Sequence, residues 1–232
     1  MDEPRPLRMS QTVNHPPRGA VIFLGPPGAG KGTQARNIAK HLGIPHISTG
    51  DIFRDNVEKG TPVGLAAKAV MAHGDLVCDD MVNEMVRERL GQPDCVTGFL
   101  LDGYPRTIPQ AEALEAMLKK ADQAPPVVVN LRVSYTVIVA RLSGRRICPV
   151  CHRTYNLISQ PPRTDGVCDQ DGASLQQRPD DQEEAIRERL SAYEAQTAPL
   201  IAYYGKGGRF IEVDGDRSPD QITNDLTRLF EN

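Results

Sequence analysis

The chain has 232 residues, 39% of them hydrophobic, and a formal net charge of −3 from 30 acidic and 27 basic side chains. That composition is able to form a sizeable core, and the charge gives no general attraction to nucleic acid or anionic membranes. No apolar run approaches the roughly 20 residues of a membrane span.

Residues 1–18 contain four prolines and no apolar stretch. This composition predicts a disordered leader rather than a signal peptide, with Met9 as an alternative start. The expected compartment is therefore the cytoplasm, without a membrane or nucleic-acid partner.

The sequence AVIFLGPPGAGKGT at residues 20–33 predicts a buried strand, a phosphate-binding loop and the start of a helix. Residues 25–31, called the phosphate loop below, fit the pattern G-x-x-x-x-G-K in that context. Glycines let successive backbone N–H groups point at one anion, the helix N-terminus adds its dipole, and Lys31 supplies a mobile cation. Gly32 stands where Ser or Thr is usual, with Thr33 one position later. A Gly-rich turn without a ligand is the alternative.

Strands and helices alternate along the rest of the chain. The predicted strands are residues 44–48, 98–102, 127–131 and 209–213, and the predicted helices are residues 33–42, 81–90, 108–120, 134–143, 181–204 and 219–230. The helix at 181–204 begins with Asp181 and Glu184 in the spacing of a capping box. This alternation predicts a parallel sheet with helices on both faces.

Two segments interrupt the alternation. Residues 48–77, the first insert, are expected to form only short helices because Gly and Pro recur there. Residues 144–181, the lid, show little apolar periodicity. The predicted core is then residues 19–47, 78–143 and 182–232. Ligands in such sheets bind at the carboxyl ends of the strands, where both inserts begin.

The lid carries the ligand spacing of a zinc ribbon. The pattern C-x₂-C-x₁₆-C-x₂-D places its candidate ligands at Cys148, Cys151, Cys168 and Asp171. A disulfide is disfavoured by three clustered cysteines in a cytosolic chain. His152 and Asp165 are alternative fourth ligands, although neither fits the paired spacing. A structural zinc would hold together an insert that has no core of its own.

Taken together, these motifs resemble the nucleoside monophosphate kinases, specifically a long-form adenylate kinase with a zinc-bearing lid. The matching segments are GPPGAGKGTQA (25–35), STGDIFR (48–54), GFLLDGYPRT (98–107), RLSGRR (141–146), RPDDQEEAIRERL (178–190) and TAPLIAYY (197–204). They fall in the family's order and spacing. The implied fold is α/β, a P-loop NTPase-type parallel sheet flanked by helices, with a small helical NMP-binding insert and a zinc-ribbon-like lid.

The resemblance implies Mg²⁺-dependent transfer of a phosphoryl group from ATP to AMP, giving two ADP, in a monomer with a structural Zn²⁺. One alternative is a related kinase that accepts UMP or CMP, or uses GTP as the donor. Thr49 within STGD, Gln110 and the long lid weigh against it. The other is a nucleotide-binding protein that does not turn over and carries a zinc-ribbon interaction module. A binding-only protein would not need so many motif arginines.

The resemblance also assigns residues to each nucleotide. On the ATP side they are Gly28, Ala29, Gly30, Lys31, Gly32, Thr33, Arg141, Arg145, Thr154, Tyr155 and Arg217. On the AMP side they are Thr49, Arg54, Asp75, Leu76, Val77, Gly103, Tyr104, Pro105, Arg106, Gln110, Arg178 and Arg189. The implied catalytic groups are Lys31, Arg106, Arg145, Arg178, Arg189, Asp102, Asp180 and Asp181. Guanidinium groups suit phosphates because they bond bidentately and stay charged.

Some of these assignments are more specific. Asp102 closes a hydrophobic strand and is expected to hold Mg²⁺ through water, with Asp180 and Asp181 near the metal and ribose. A helix N-cap is the alternative for Asp181. Arg141 is expected to stack on the donor adenine, and the carbonyl of Arg217 to contact the adenine amino group.

Overall fold

The computed structural model describes residues 8–9 and 19–231. The predicted disordered leader thus lies outside the described residues, apart from a two-residue strand at Arg8–Met9. Within the described ranges, no helix combines the length and apolar character that crossing a membrane requires.

Strands and helices alternate through the core. The strands are β1 (Arg8–Met9), β2 (Gly19–Leu24), β3 (His46–Ser48), β4 (Phe99–Asp102), β5 (Ala124–Arg132), β6 (Arg145–Ile147), β7 (Thr154–Asn156) and β8 (Phe210–Asp214). The helices are α1 (Lys31–Leu42), α2 (Thr49–Glu58), α3 (Pro62–His73), α4 (Asp79–Leu90), α5 (Ile108–Lys120), α6 (Tyr135–Ser143), α7 (Glu183–Ala192), α8 (Pro199–Tyr204) and α9 (Pro219–Glu231).

The core is one sheet with the strand order β1-β8-β5-β2-β4-β3. The five strands from β8 to β3 are parallel, and β1 pairs antiparallel with β8. Side chains of β2 alternate between two cores, as the period of a strand requires. Ile22 packs with α4, α5 and α8 on one face, whereas Phe23 packs with α1 and α9 on the other. The predicted parallel sheet, covered on both faces, is confirmed.

Most predicted boundaries move by only a few residues. Helix α5 matches the predicted range 108–120. Strand β3 is shorter than the predicted 44–48, because the Ile44 N–H closes the end of α1 on the Ala39 carbonyl. Helix α4 begins earlier than predicted, with Asp79 and Asp80 in its first turn, where carboxylates are favoured by the helix dipole.

The first insert contains two helices, α2 and α3, of 10 and 12 residues. The expectation of short helices is therefore wrong. Thr61 caps α3 and Pro62 occupies its first turn, so these residues mark the turn between the helices. Gly64 does not break α3. A Cβ at Gly64 would lie 2.1 Å from the Asn56 carbonyl oxygen, so only glycine allows α2 and α3 to pack this closely.

The single helix predicted at 181–204 is also wrong. The chain instead forms a 3-10 turn at Pro179–Asp181, then α7, a π-helical segment at Tyr193–Thr197, and α8. Pro199 lacks an N–H and its ring clashes with the preceding turn, which accounts for the widened segment. Gln182 is the N-cap residue of α7, so the expected capping box from Asp181 does not form.

The lid is built on the antiparallel hairpin of β6 and β7. Its buried side chains form a small cluster of Cys148, Tyr155 and Cys168, with Cys151, Ala173 and Leu175 against it. Three of these six side chains are cysteines. Hydrophobic contact alone therefore contributes little to holding the lid together.

Candidate active site

The phosphate loop leaves the carboxyl end of the central strand. The register of the sheet brings Phe23 beside Asp102, and Asp102 beside Ser48, so the ends of β2, β4 and β3 meet at one edge. Gly25 has a φ of 137°, and a Cβ there would lie 2.6 Å from the Leu131 carbonyl oxygen. Only glycine lets the loop turn so close to β5 before α1 begins.

Lys31 folds back over the loop. Its Nζ donates to the carbonyl oxygens of Gly25 at 2.6 Å and Pro26 at 2.9 Å. Burial lowers the pKa of Lys31 to about 7; Asp102 opposes this effect, and three neighbouring arginines reinforce it. A phosphate in the loop would restore the ammonium form by supplying negative charge.

A cavity of about 240 Å³, the main cavity, lies between the phosphate loop, the first insert and the lid. Predicted site residues in its walls are Gly28, Ala29, Gly30, Lys31, Gly32, Thr33, Arg54, Asp75, Asp102, Gly103, Arg106, Arg141, Arg145, Thr154, Tyr155, Arg178, Asp180 and Arg189. A smaller adjoining cavity adds Leu76 and Pro105. Residues assigned to both nucleotides therefore line the main cavity together.

Other predicted site residues lie behind these walls: Thr49, Val77, Tyr104, Gln110, Asp181 and Arg217. The Gln110 amide donates to Asp79 at 2.7 Å and accepts the Arg106 backbone N–H at 2.7 Å. Thr49 donates to the Gly103 carbonyl, which also accepts from Arg106 Nε, both at 2.9 Å. In this structure Gln110 and Thr49 hold Arg106 in place rather than face the cavity.

Asp181 is fully buried beneath two arginines. It accepts from Arg145 Nε at 2.6 Å and also from Arg145 Nη2, and Arg189 Nη1 lies 3.1 Å away. Asp180, in contrast, faces the cavity and pairs with Arg189 at 2.9 Å. Thus the two neighbouring carboxylates do not share one location, and Asp181 contacts the arginines rather than the cavity.

Three of the residues behind these walls contact other parts of the protein instead of the cavity. The Arg217 carbonyl accepts from Arg141 Nη2 at 3.4 Å. The Tyr104 hydroxyl donates to Asn83 at 2.7 Å, and Val77 packs against the core. Arg141 thus lies at the cavity wall between Arg217 and the phosphate loop, where its Nη1 is 3.5 Å from the Ala29 carbonyl oxygen.

The arginines around the main cavity repel one another. Burial lowers the pKa of Arg178 to about 9, with Arg145 and Arg54 lowering it further. Arg178 Nε is buried and has no hydrogen-bond partner among the described residues. Burial and neighbouring arginines also lower the pKa of Arg106, to about 10. Crowded, partly unpaired cations of this kind form a site for a polyanion.

Sequence reasoning missed two charged residues of the main cavity. Arg36 Nη2 lies 3.4 Å from Thr154 Oγ1 and so joins α1 to the lid. Asp51 pairs with Arg54. The Asp51–Arg54 pair has the i,i+3 spacing of helix neighbours, which is a readable signal. The contact of Arg36 depends on how the lid lies over α1, and no local pattern reports that.

The lid brings the predicted zinc ligands together. Ligand atoms of Cys148, Cys151, Cys168 and Asp171 all lie within 4.8 Å of one another. The alternatives His152 and Asp165 are not in this group. All the cysteines are free thiols. The sulfurs of Cys151 and Cys168 are 3.5 Å apart.

Backbone N–H groups donate to two of these sulfurs. Val150 and Cys151 donate to the Cys148 sulfur at 3.3 and 3.4 Å, and Gln170 donates to the Cys168 sulfur at 3.4 Å. A hydrogen bond to the Asp171 carboxylate is the main cause that raises the pKa of Cys151 to about 12, and burial adds to it. Three sulfurs and a carboxylate in one small group match the donor set that zinc accepts.

A glycine-rich phosphate loop at the carboxyl edge of a parallel sheet, facing a cavity lined by arginines, defines a P-loop phosphotransferase. A family model described as Adenylate kinase matches residues 23–209. The chain belongs to the adenylate kinase family.

Relatives at about half identity extend over nearly the whole chain. An adenylate kinase of Symbiobacterium thermophilum is 51% identical over 206 residues, 89% of this chain and 95% of that protein. That of Methanosarcina acetivorans is 50% identical over 209 residues, 90% and 97%. That of Caldanaerobacter subterraneus subsp. tengcongensis is 49% identical over 208 residues, 90% and 94%.

The chain is accordingly a phosphotransferase that catalyses ATP + AMP ⇌ 2 ADP. Kinases of this family use Mg²⁺ with ATP. These relatives do not favour a kinase with a different acceptor or donor. They do not favour a nucleotide-binding protein without turnover either.

Proposed function

We propose that ATP lies over the phosphate loop, that AMP lies beneath the first insert, and that their phosphates meet among the arginines. Lys31 and Arg145 hold the donor phosphates, and Arg54 and Arg106 hold the acceptor phosphate. The observation that carries this assignment is their convergence, with Arg178 and Arg189, on one cavity.

The lowered pKa values supply an independent argument. Burial and mutual repulsion both make the charged forms of Lys31, Arg106 and Arg178 costly. Nucleotide phosphates offset this cost, because each brings negative charge within reach of several cations. The unpaired Nε of Arg178 gains an acceptor in the same step.

This arrangement fits the demands of phosphoryl transfer. The reaction asks for charge neutralisation and for the two oxygens to be held in line, with little covalent chemistry for the protein to perform. The first insert and the lid both border the main cavity. In our proposal they also exclude water, which would otherwise accept the phosphoryl group.

Asp102 is the residue we assign to Mg²⁺. Its carboxylate stands at the end of β4, where a Cβ on Gly32 would lie 3.1 Å from Oδ2. When bound, Mg²⁺ neutralises phosphate charge and helps to orient ATP. Asp180 is the second acidic group at the cavity. Asp181 holds Arg145 and Arg189 from below.

For the acceptor base, we infer selection by Thr49, Gln110 and the backbone of residues 75–77. Asp75 and Leu76 reach the two cavities, and Thr49 and Gln110 lie directly behind Gly103 and Arg106. An amide donates to and accepts from an adenine edge, so Gln110 suits this role once AMP displaces its present partners.

For the lid, we propose one structural Zn²⁺ held by Cys148, Cys151, Cys168 and Asp171. The clustered ligand atoms and the N–H groups directed at two sulfurs support it. Tyr155 links the site to β7, because its hydroxyl lies 3.4 Å from the Cys168 sulfur. Bound zinc would contribute lid stability that the few apolar contacts do not supply.

We further infer that the chain acts as a monomer in the cytoplasm, with ATP, AMP and ADP as its ligands. Every residue assigned to the reaction belongs to one chain. The net charge of −3 offers no general attraction to nucleic acid or membrane surfaces.

Lys31→Met tests the central assignment. We expect ADP formation from ATP and AMP, followed in a coupled assay, to fall on the order of 10³-fold or more, because the cation that meets the developing charge is lost. The melting temperature should stay near that of the wild type. Lys40→Met, an exposed lysine of the same helix, is the matched control. Turnover like the wild type in folded Lys31→Met would refute the assignment of the phosphate loop.

A further inference from the structure

His46 stands beside the carboxylate assigned to magnesium and has no part in the reaction described so far. Its Nε2 lies 3.6 Å from Asp102 Oδ2, just beyond hydrogen-bond length. The two side chains are 16% and 14% exposed. Nε2 is fully buried and has no hydrogen-bond partner among the described residues. A buried, unpaired imidazole nitrogen next to a carboxylate calls for an explanation.

The sheet determines this neighbourhood. Strands β3 and β4 are adjacent, with His46 paired to Leu100 and Ser48 to Asp102. The strand pairing uses backbone atoms only, so it does not require histidine at position 46.

Asp102 is confined from two sides. On one side is the first turn of α1, where a Cβ on Gly32 would approach Oδ2 to 3.1 Å. On the other is the imidazole of His46. A charged acceptor this close favours the His46 tautomer that carries its proton on Nε2.

We propose that His46 is a positioning residue for the kinase reaction, donating from Nε2 to Asp102 and so fixing the orientation in which that carboxylate serves Mg²⁺·ATP. The inference rests on the proposed role of Asp102. A shift of a few tenths of an ångström converts the 3.6 Å contact into a hydrogen bond. Groups that orient the carboxylates around a metal affect metal affinity or activity about 10- to 100-fold.

Two substitutions separate positioning from packing. His46→Gln keeps an N–H donor on a side chain of similar reach, whereas His46→Leu keeps the volume and removes the donor. We measure the Mg²⁺ concentration that gives half-maximal kcat. By electron paramagnetic resonance we also measure Mn²⁺ binding to the enzyme with a non-hydrolysable ATP analogue, which needs no turnover. His41→Leu is the matched control, since His41 faces Glu231 at 3.4 Å on the protein surface.

We expect His46→Leu to raise about tenfold both the Mg²⁺ concentration that gives half-maximal kcat and the Mn²⁺ concentration that gives half-maximal binding. His46→Gln should raise these two concentrations less than about threefold, and His41→Leu should change neither. In Asp102→Asn, adding His46→Leu should have no further effect, because the group it orients is gone. Equal effects of the Gln and Leu variants would overturn the inference. So would an undiminished effect of His46→Leu in the Asp102→Asn background.

The outcomes also separate this inference from the role of Asp102. If Asp102→Asn changes the metal dependence and His46→Leu does not, positioning by His46 is overturned alone. If Asp102→Asn leaves it unchanged, both assignments are overturned. Nitrogen NMR of the wild type gives a test that does not depend on folding of the Leu variant. The His46 ring should carry its proton on Nε2, and the opposite tautomer would overturn the proposal.

Discussion

The buried carboxylate of Asp181 provides a sharp test, because two explanations of this residue predict opposite results for one substitution. If Asp181 served as a helix N-cap, Asp181→Asn would be nearly neutral, since asparagine caps as well as aspartate. The structure instead shows a carboxylate that pairs with Arg145 and Arg189 while fully buried. Removing its charge takes away the carboxylate that pairs with Arg145 and leaves Arg189 with Asp180 alone. The amide that replaces one oxygen also turns a second set of donors toward the arginines.

The magnitude follows from this environment. Removing one partner from a buried ion pair costs about 3–5 kcal/mol, because the remaining charge stays desolvated. For a chain of this length, a loss of about 3 kcal/mol lowers the melting temperature by about 6–12 °C. We expect Asp181→Asn to show this loss in thermal unfolding without nucleotide. With ATP and AMP present the loss should shrink, because the phosphates take over the pairing of the arginines.

Glu183→Gln is the control. Glu183 also accepts from an arginine, Arg187 at 2.6 Å, but both side chains are exposed. An exposed pair of this kind contributes at most about 0.5 kcal/mol, so the control should melt like the wild type. A melting temperature of Asp181→Asn within about 1 °C of the wild type would refute the ion-pair argument.

The remaining predictions concern the zinc site and the proton balance of nucleotide binding. Metal analysis should find about one zinc per chain. The zinc should be lost from Asp171→Ala but retained in Asp171→Cys and His152→Ala. The lid of Cys148→Ser should unfold at a lower temperature than that of the wild type. Full zinc in Asp171→Ala would exclude this fourth ligand. Without nucleotide, Lys31 has a pKa of about 7 against the usual 10.5, so its side chain is mostly neutral at pH 8. Bound phosphate raises this pKa, and Lys31 should then take up close to one proton. Nucleotide affinity should therefore fall as pH rises above 7, and calorimetry in buffers of different ionisation enthalpy should show this uptake in the wild type but not in Lys31→Met.

The sequence predicts the fold correctly where the local residue pattern permits only one interpretation. The apolar run into Gly25 and the strand ending in Asp102 allow little else, and both strands form as expected. The expectation of short helices in the first insert was wrong at Gly64, because a glycine in a helical segment signals either an end or a close crossing. Only the position of α2 decides between the two. Likewise, Pro199 marks a break without revealing that the chain widens into a π-helical segment before it.

The candidate site, like the fold, is predictable from the sequence only in part. The family resemblance implied roles for the arginines, but not the layering in which Asp181 and Gln110 support neighbours from behind. The pairing of His46 with Asp102 depends on the register of two strands about 50 residues apart in the chain. That of Arg36 with Thr154 depends on the position of the lid over α1. Contacts between distant segments leave no periodic trace in either segment.

The close approach of Gly32 to Asp102 also couples these two positions. Loops of this class usually carry Ser or Thr after the lysine, and a Cβ at position 32 would lie 3.1 Å from the carboxylate. Ser or Thr at position 32 therefore requires the Asp102 side chain to move by a few tenths of an ångström. The effect of such a substitution depends on whether the groups around Asp102 allow that movement, so the effects of changes at positions 32 and 102 on stability should not be additive.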